Sequence, residues 1–249
     1  MPSFAHHRPS GPPPASADAS CWAVSGRRGH DPRPGCPATV DLDAPGSGVV
    51  LGDAAVHEHV LGVQLQPSWR LADHWARGAD VTAIYESHDS RHLRATAMWR
   101  LQPCTDGARG WQAIISTQTS LLHSDSILAV TSTLRCDPGD TWLWGRCGDG
   151  TVHWQATADA DATCVFLRRT GANATSVLVA AHPDEVDRLD ARAHQGRATV
   201  TCWLFAAALE KGVLLRSRVL AAVGSAREDE SWATAAAAEF AALPPMLTT

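Results

Sequence analysis

The chain has one lysine (Lys211), one asparagine (Asn173) and one tyrosine (Tyr85) in 249 residues, so all but one of its 21 basic residues are arginine. Such depletion reads as the codon bias of a GC-rich genome. It weakens alanine-rich stretches as evidence for helix, and it removes most functional weight from the choice of arginine over lysine. A basic field is also missing: the net charge of -5 and pI near 6.1 give phosphate backbones nothing to select, so no nucleic-acid partner is expected. No apolar run approaches the roughly 18 residues of a membrane-spanning helix, and Pro12, Pro13 and Pro14 stand where a secretory leader would be apolar. The expectation is a cytoplasmic protein with no membrane partner.

Cysteine is present, but not in pairs that mark a metal. None of the seven (Cys21, Cys36, Cys104, Cys136, Cys147, Cys164, Cys202) forms a C-x-x-C pair. They read as small buried hydrophobes in a reducing compartment, with a Cys136–Cys147 bridge left open. No G-x-S-x-G elbow and no glycine-rich phosphate loop occurs, so no cofactor is expected.

Eight of the fifteen prolines fall in the first 37 residues, among Ser, Gly, Ala and His. That composition buries too little apolar surface to order itself, so residues 1 to 38 read as a disordered tail and 39 to 249 as one domain. Arg27, Arg28 and Arg33 then read as a solvated cluster.

From Val40 onward the signal is alternation with a period of two, broken by turn residues, which is the pattern of antiparallel strands. In Leu93 to Leu101, Leu93, Ala95, Ala97, Trp99 and Leu101 share the core face, while Arg94, Thr96, Met98 and Arg100 share the other. Similar segments are Val60 to Gln66, Val81 to Glu86, Gln112 to Thr119, Ile127 to Cys136, Thr151 to Thr157, Cys164 to Arg169, Ser176 to Ala181, Thr199 to Phe205 and Val213 to Val223. About ten strands need two packed sheets, because one open sheet would leave an apolar face in water. The expected fold is mainly β, an antiparallel two-sheet sandwich; a supersandwich of the galactose-mutarotase type is one fold in that class.

Two helices are expected to interrupt the strands. Pro183 to His194 carries Val186, Leu189 and Ala193 among charges, as a surface helix would. Ser225 and Glu228 have capping-box spacing ahead of a stripe of Trp232, Ala236, Phe240 and Leu243, which Pro244 and Pro245 stop. The stretch Leu209 to Val219, followed by this helix, resembles the C-terminal end of an uncharacterised bacterial all-β protein family; the resemblance covers about 40 residues and implies no activity.

Four constellations hold chemistry-bearing residues. His57-Glu58-His59 begins as sheet-borne metal sites do, but no carboxylate follows at the needed spacing, so no metal is expected. Ser87-His88-Asp89 and His123-Ser124-Asp125 hold acid-base residue types and read first as turn formers. Trp142, Trp144 and Trp154, of equal parity around Gly148-Asp149-Gly150, read as one indole face turned to the core. Arg94, Arg100, Gln118, Arg216 and Arg218 lie at period-two positions of three segments, with Glu86 as a nearby acceptor.

That last set is the candidate ligand-binding surface, suited to a carbohydrate or a small anionic ligand. A binding sandwich is therefore the first functional expectation. The alternatives are a hydrolase or lyase using His88, His123 and Asp125, and a structural or assembly domain.

Overall fold

The computed structural model describes residues 21–246 apart from 36, 53–57, 67, 105–106, 149, 172–173 and 207. Along the chain the described strands are β1 (Ala23–Ser25), β2 (Arg28–Asp31), β3 (Ala38–Asp41), β4 (Val49–Leu51), β5 (Glu58–Gln64), β6 (Trp69–Arg77) and β7 (Asp80–Ser87). They continue with β8 (Leu93–Pro103), β9 (Arg109–Thr119), β10 (His123–Asp125), β11 (Leu128–Arg135), β12 (Thr141–Gly148), β13 (Thr151–Gln155) and β14 (Cys164–Arg168). The last are β15 (Thr175–Ala181), β16 (Arg188–His194), β17 (Arg197–Leu204), β18 (Ala208–Glu210) and β19 (Leu215–Ser225), followed by helix α1 (Asp229–Ala241).

Two large sheets form. One has the order β1-β2-β3-β4-β5-β11-β17-β16 and the other β13-β12-β14-β15-β19-β9-β8-β7-β6, while β10 and β18 pair separately. Consecutive strands are joined mostly by hairpins, so neighbours run antiparallel. The sheets pack face to face as a sandwich, and the core between them takes Val60, Val63, Val130 and Val200 from the first and Trp99, Trp111, Ile115 and Val219 from the second. The indole of Trp99 crosses that interface to donate to the Leu61 carbonyl at 3.0 Å. All ten strand segments read from period-two alternation are strands here.

The outer face of the second sheet is apolar over only half its width. Phe166, Leu178, Leu220 and Ala222 form a second, smaller cluster there with Trp232, Ala236 and Phe240 of α1. Gly224 allows the close approach of the helix, since a Cβ at that position would lie 2.6 Å from Trp232. The other half of this face, on β7, β8 and β9, has no helix over it.

Several expectations need correction. Ala23–Ser25 and Arg28–Asp31 are strands and not tail: Trp22 is buried and donates to the Trp99 carbonyl at 3.0 Å, while residues 1–20 lie outside the described residues. Arg33 is not a solvated charge, because it is paired with buried Asp31 at 2.7 Å.

Pro183 to His194 is not a helix. Its first residues turn and the rest is β16, paired with β17 from Arg188↔Trp203 to His194↔Arg197. Gln195 and Gly196 both adopt positive φ, the geometry of a tight hairpin turn, and the cross-strand pairing that turn permits overrides the helical spacing.

Helix α1 begins one turn after Ser225, with Glu228 at the N-cap and no side-chain capping bond. The Ser225 hydroxyl instead accepts from the Arg227 amide at 3.3 Å. Leu243 lies past the helix end and is exposed.

The tryptophan hairpin is split between two faces. Gly148 pairs with Thr151, so the loop has two residues and Gly145 faces Trp154. An odd sum of paired numbers sends Trp154 under α1, while Trp142 and Trp144 pack on the main core.

Candidate functional site

The uncovered half of the second sheet's outer face is concave. Strand pairing stacks its side chains in rows: Glu86 beside Arg94 beside Gln118, then Thr96 beside Ser116 beside Arg216. Ile84, beside Thr96, and the next row, Met98 beside Ile114, supply the apolar part of the floor, and Met246 also lines the cavity. The cavity holds about 560 Å³, and its wall carries Arg94, Arg100, Gln118 and Arg216.

The three arginines are unequally neutralised. Arg100 makes a two-pronged pair with Asp80, at 2.7 and 2.9 Å. Arg94 faces Glu86 at a looser 3.9 Å. Arg216 donates to the Ser116 hydroxyl at 3.1 Å and has no carboxylate partner among the described residues. Among the described residues no carboxylate lines this cavity. A guanidinium beside hydroxyls over an apolar floor is suited to an anionic group carried on a partly apolar ring.

Arg218, expected in the same set, is elsewhere. It is buried, pairs with Glu185 at 3.2 Å, bonds the Pro244 carbonyl and stacks over Phe240 at 5.7 Å. Its sheet register matches Arg216, but the segment after α1 lies over it, so it anchors that segment and is not available to a ligand.

A second concavity of about 580 Å³ adjoins the first, sharing Arg94 and Gln118 and adding Glu86, His88, His92 and Lys211. The combined groove follows β8. Arg94 and Arg100, six residues apart in sequence, are about 20 Å apart along an extended strand, so the groove exceeds the length of one small carboxylate.

The acid-base triplets are not assembled into a nucleophilic site. The Ser87 hydroxyl accepts from the Leu93 amide at 2.8 Å, and the Asp89 carboxylate is held by Arg91. Ser124 donates to the Arg91 carbonyl at 3.0 Å, and Asp125 accepts from the Ile127 amide at 3.0 Å. His123 is exposed on the separate β10–β18 ribbon, beside Glu210 at 4.0 Å. His57 lies outside the described residues, and Glu58 pairs with Arg169. No group of three or more His, Cys, Asp or Glu able to hold a metal occurs among the described residues.

The helical reading of 183–194 concealed one further surface. On the first sheet's outer face, Asp190, Arg192, His194, Thr201 and Trp203 line a concavity of about 570 Å³. Its indole is committed on two sides, since Trp203 donates to Asp190 at 2.9 Å and Arg188 stacks on the ring at 5.3 Å. The alternation Arg188, Asp190, Arg192, His194 was the available signal.

No protein-family model matches the chain, and no curated protein matches it. Among solved structures the chain is similar to a TPR-domain containing protein from Parabacteroides distasonis, at 9% sequence identity and a TM-score of 0.46. That likeness covers 79% of this chain and 47% of the other, so the chain spans about half the length of that structure.

Proposed function

We propose that the protein is a β-sandwich binding module whose ligand is an acidic carbohydrate, held in the groove along β8 and β9. The observation that carries this reading is Arg216. Its guanidinium faces a cavity with an apolar floor, bonds a hydroxyl, and lacks a carboxylate among the described residues. An arginine needed only for solubility has no reason to sit among Ile84, Met98 and Ile114, whereas one that pairs with an incoming carboxylate gains strength from low-dielectric surroundings. Gln118 and Thr96 add neutral groups that suit sugar hydroxyls.

A thermal-shift screen of hexuronates and their oligomers against neutral hexoses and simple carboxylates tests the reading. Acidic sugars should raise the melting temperature, and neutral hexoses at equal concentration should not. Stabilisation by neutral sugars alone would count against it.

A further inference from the structure

Away from the groove, two thiols meet beneath α1. Cys147 on β12 and Cys164 on β14 have their sulfurs 4.0 Å apart, and both are free. We propose that Cys147 is a hydroperoxide-sensitive thiol and that Cys164 resolves its oxidised form as an intramolecular disulfide.

The two positions differ as an attacking and a resolving thiol should. Cys164 is fully buried among Phe166, Leu178 and Trp232, whereas Cys147 is half-buried near the end of a hairpin. In the reduced state the Cys147 thiol lies 3.8 Å from the Ala237 carbonyl of α1 and the Cys164 thiol 3.4 Å from the Gly145 carbonyl. When Cys147 ionises, Cys164 is placed to donate to it. That bond lowers the Cys147 pKa to about 7; burial opposes the shift and Thr163 adds to it. Cys164 moves in the opposite direction, held protonated by the same bond and by burial. Thiolate character is thus concentrated on the less buried of the two cysteines.

The backbone permits closure. The β12–β14 pairing ends at Gly145↔Cys164, so Cys147 is diagonal to its partner and beyond the last paired residue. Diagonal strand neighbours are about 7 Å apart at Cα, slightly too far for a disulfide. Gly145 and Gly148 flank the segment that must move; it pairs with β13, at Arg146↔His153 and Cys147↔Val152, and not with β14, so it can shift together with the β13 edge strand.

The chemistry balances with a hydroperoxide as the oxidant. The Cys147 thiolate attacks the outer peroxide oxygen; an S–O bond forms as the O–O bond breaks, and the alkoxide leaves as the alcohol with the proton that the thiol released. The Cys164 thiol then attacks the sulfenic sulfur; an S–S bond forms, the S–O bond breaks, and hydroxide leaves with the Cys164 proton as water. Two thiols are oxidised and one hydroperoxide is reduced.

The test uses the full chain, peroxide and peptide mapping by mass spectrometry. Stoichiometric hydrogen peroxide should give a Cys147–Cys164 linked peptide, and a Cys164→Ala variant should instead accumulate a Cys147 sulfenic acid that dimedone traps. Iodoacetamide labelling of Cys147 in the native chain should be half-maximal near pH 7, and the midpoint should rise toward about 8.5 in the variant. A Cys164→Ser chain repeats the dimedone assay should the alanine variant fail to fold. Alkylation of Cys147 at pH 7 no faster than that of Cys136, or peroxide-linked peptides that omit the pair, would overturn the proposal.

Discussion

Asp31 is a buried carboxylate with three partner side chains among the described residues. Its buried side chain takes bonds from both the Nε and Nη2 of Arg33 and from the Trp111 indole, and it pairs with Arg109 at 2.8 Å. Burial is the largest single influence and would raise its pKa, but the hydrogen bonds and charge of Arg33, together with the Arg109 hydrogen bond, outweigh it and hold the carboxyl below its ordinary 3.8. A carboxyl depressed in the folded state contributes stability that is fully present above the unfolded pKa and is lost as pH falls through the folded value. Asp31→Asn should therefore cost about 3 to 5 kcal/mol at pH 7, as breaking a buried pair does. The deficit should shrink below about pH 4. Urea melts of both chains at pH 7 and pH 3 measure it, and an equal deficit at the two pH values would contradict this role. Tryptophan behaves similarly at this scale. The indole nitrogens of Trp22, Trp99, Trp111, Trp154 and Trp232 all donate to backbone or side-chain acceptors within the protein, so these five rings are committed to packing.

At the scale of elements, helix α1 is held by the packing of its buried face and, at its start, by buried Asp229, which accepts from the Ser176 hydroxyl at 2.9 Å and pairs with Arg168 at 3.0 Å. Trp232 is 1% exposed and packs edge-on against Phe166, with ring centroids 5.6 Å apart. Trp232→Ala should cost about 3 to 5 kcal/mol. Ser225→Ala should cost under about 0.5 kcal/mol, because its hydroxyl caps no helix. Thermal unfolding of the two variants checks the pair, and similar losses would mean that the helix start is more tightly held than its geometry implies. The strands were legible because one face of each meets a core, so Leu93 through Leu101 alternates strictly. Two failures have specific causes. The segment 183–194 has apolar residues compatible with either period, and only the turn at Gln195 and Gly196 decides between them. In the tryptophan hairpin, reading three loop residues where there are two reversed the face of Trp154. Strand β6 was missed because its burial is nearly all partial or absent, as at the edge of a sheet.

At the scale of the whole molecule, the N-terminal strands extend the first sheet, and Trp22 and Asp31 fasten them to the second. Their short lengths and the surrounding prolines hide them in composition. A chain beginning at Ala38 loses both anchors and should unfold at a lower temperature, or without a cooperative transition; calorimetry showing an unchanged melt would contradict this. The candidate groove was partly legible for the opposite reason. Regular alternation set Arg94, Arg100 and Gln118 on one face, and the pairing of β9 with β19 brought Arg216 to it. Sequence could not reveal that the segment after α1 covers Arg218, because that contact joins residues distant in the chain.

The proposed ligand site is this half of the second sheet, with Arg216 as its anchor. Isothermal titration of the best acidic sugar into the native chain, Arg216→Ala and Arg192→Ala tests it, since Arg192 lines the concavity on the other sheet. Loss of a charge-assisted bond of about 1.5 to 3 kcal/mol should weaken binding by roughly tenfold or more in Arg216→Ala, with Arg192→Ala matching the native chain. Unchanged affinity in Arg216→Ala, or a loss confined to Arg192→Ala, would contradict the assignment.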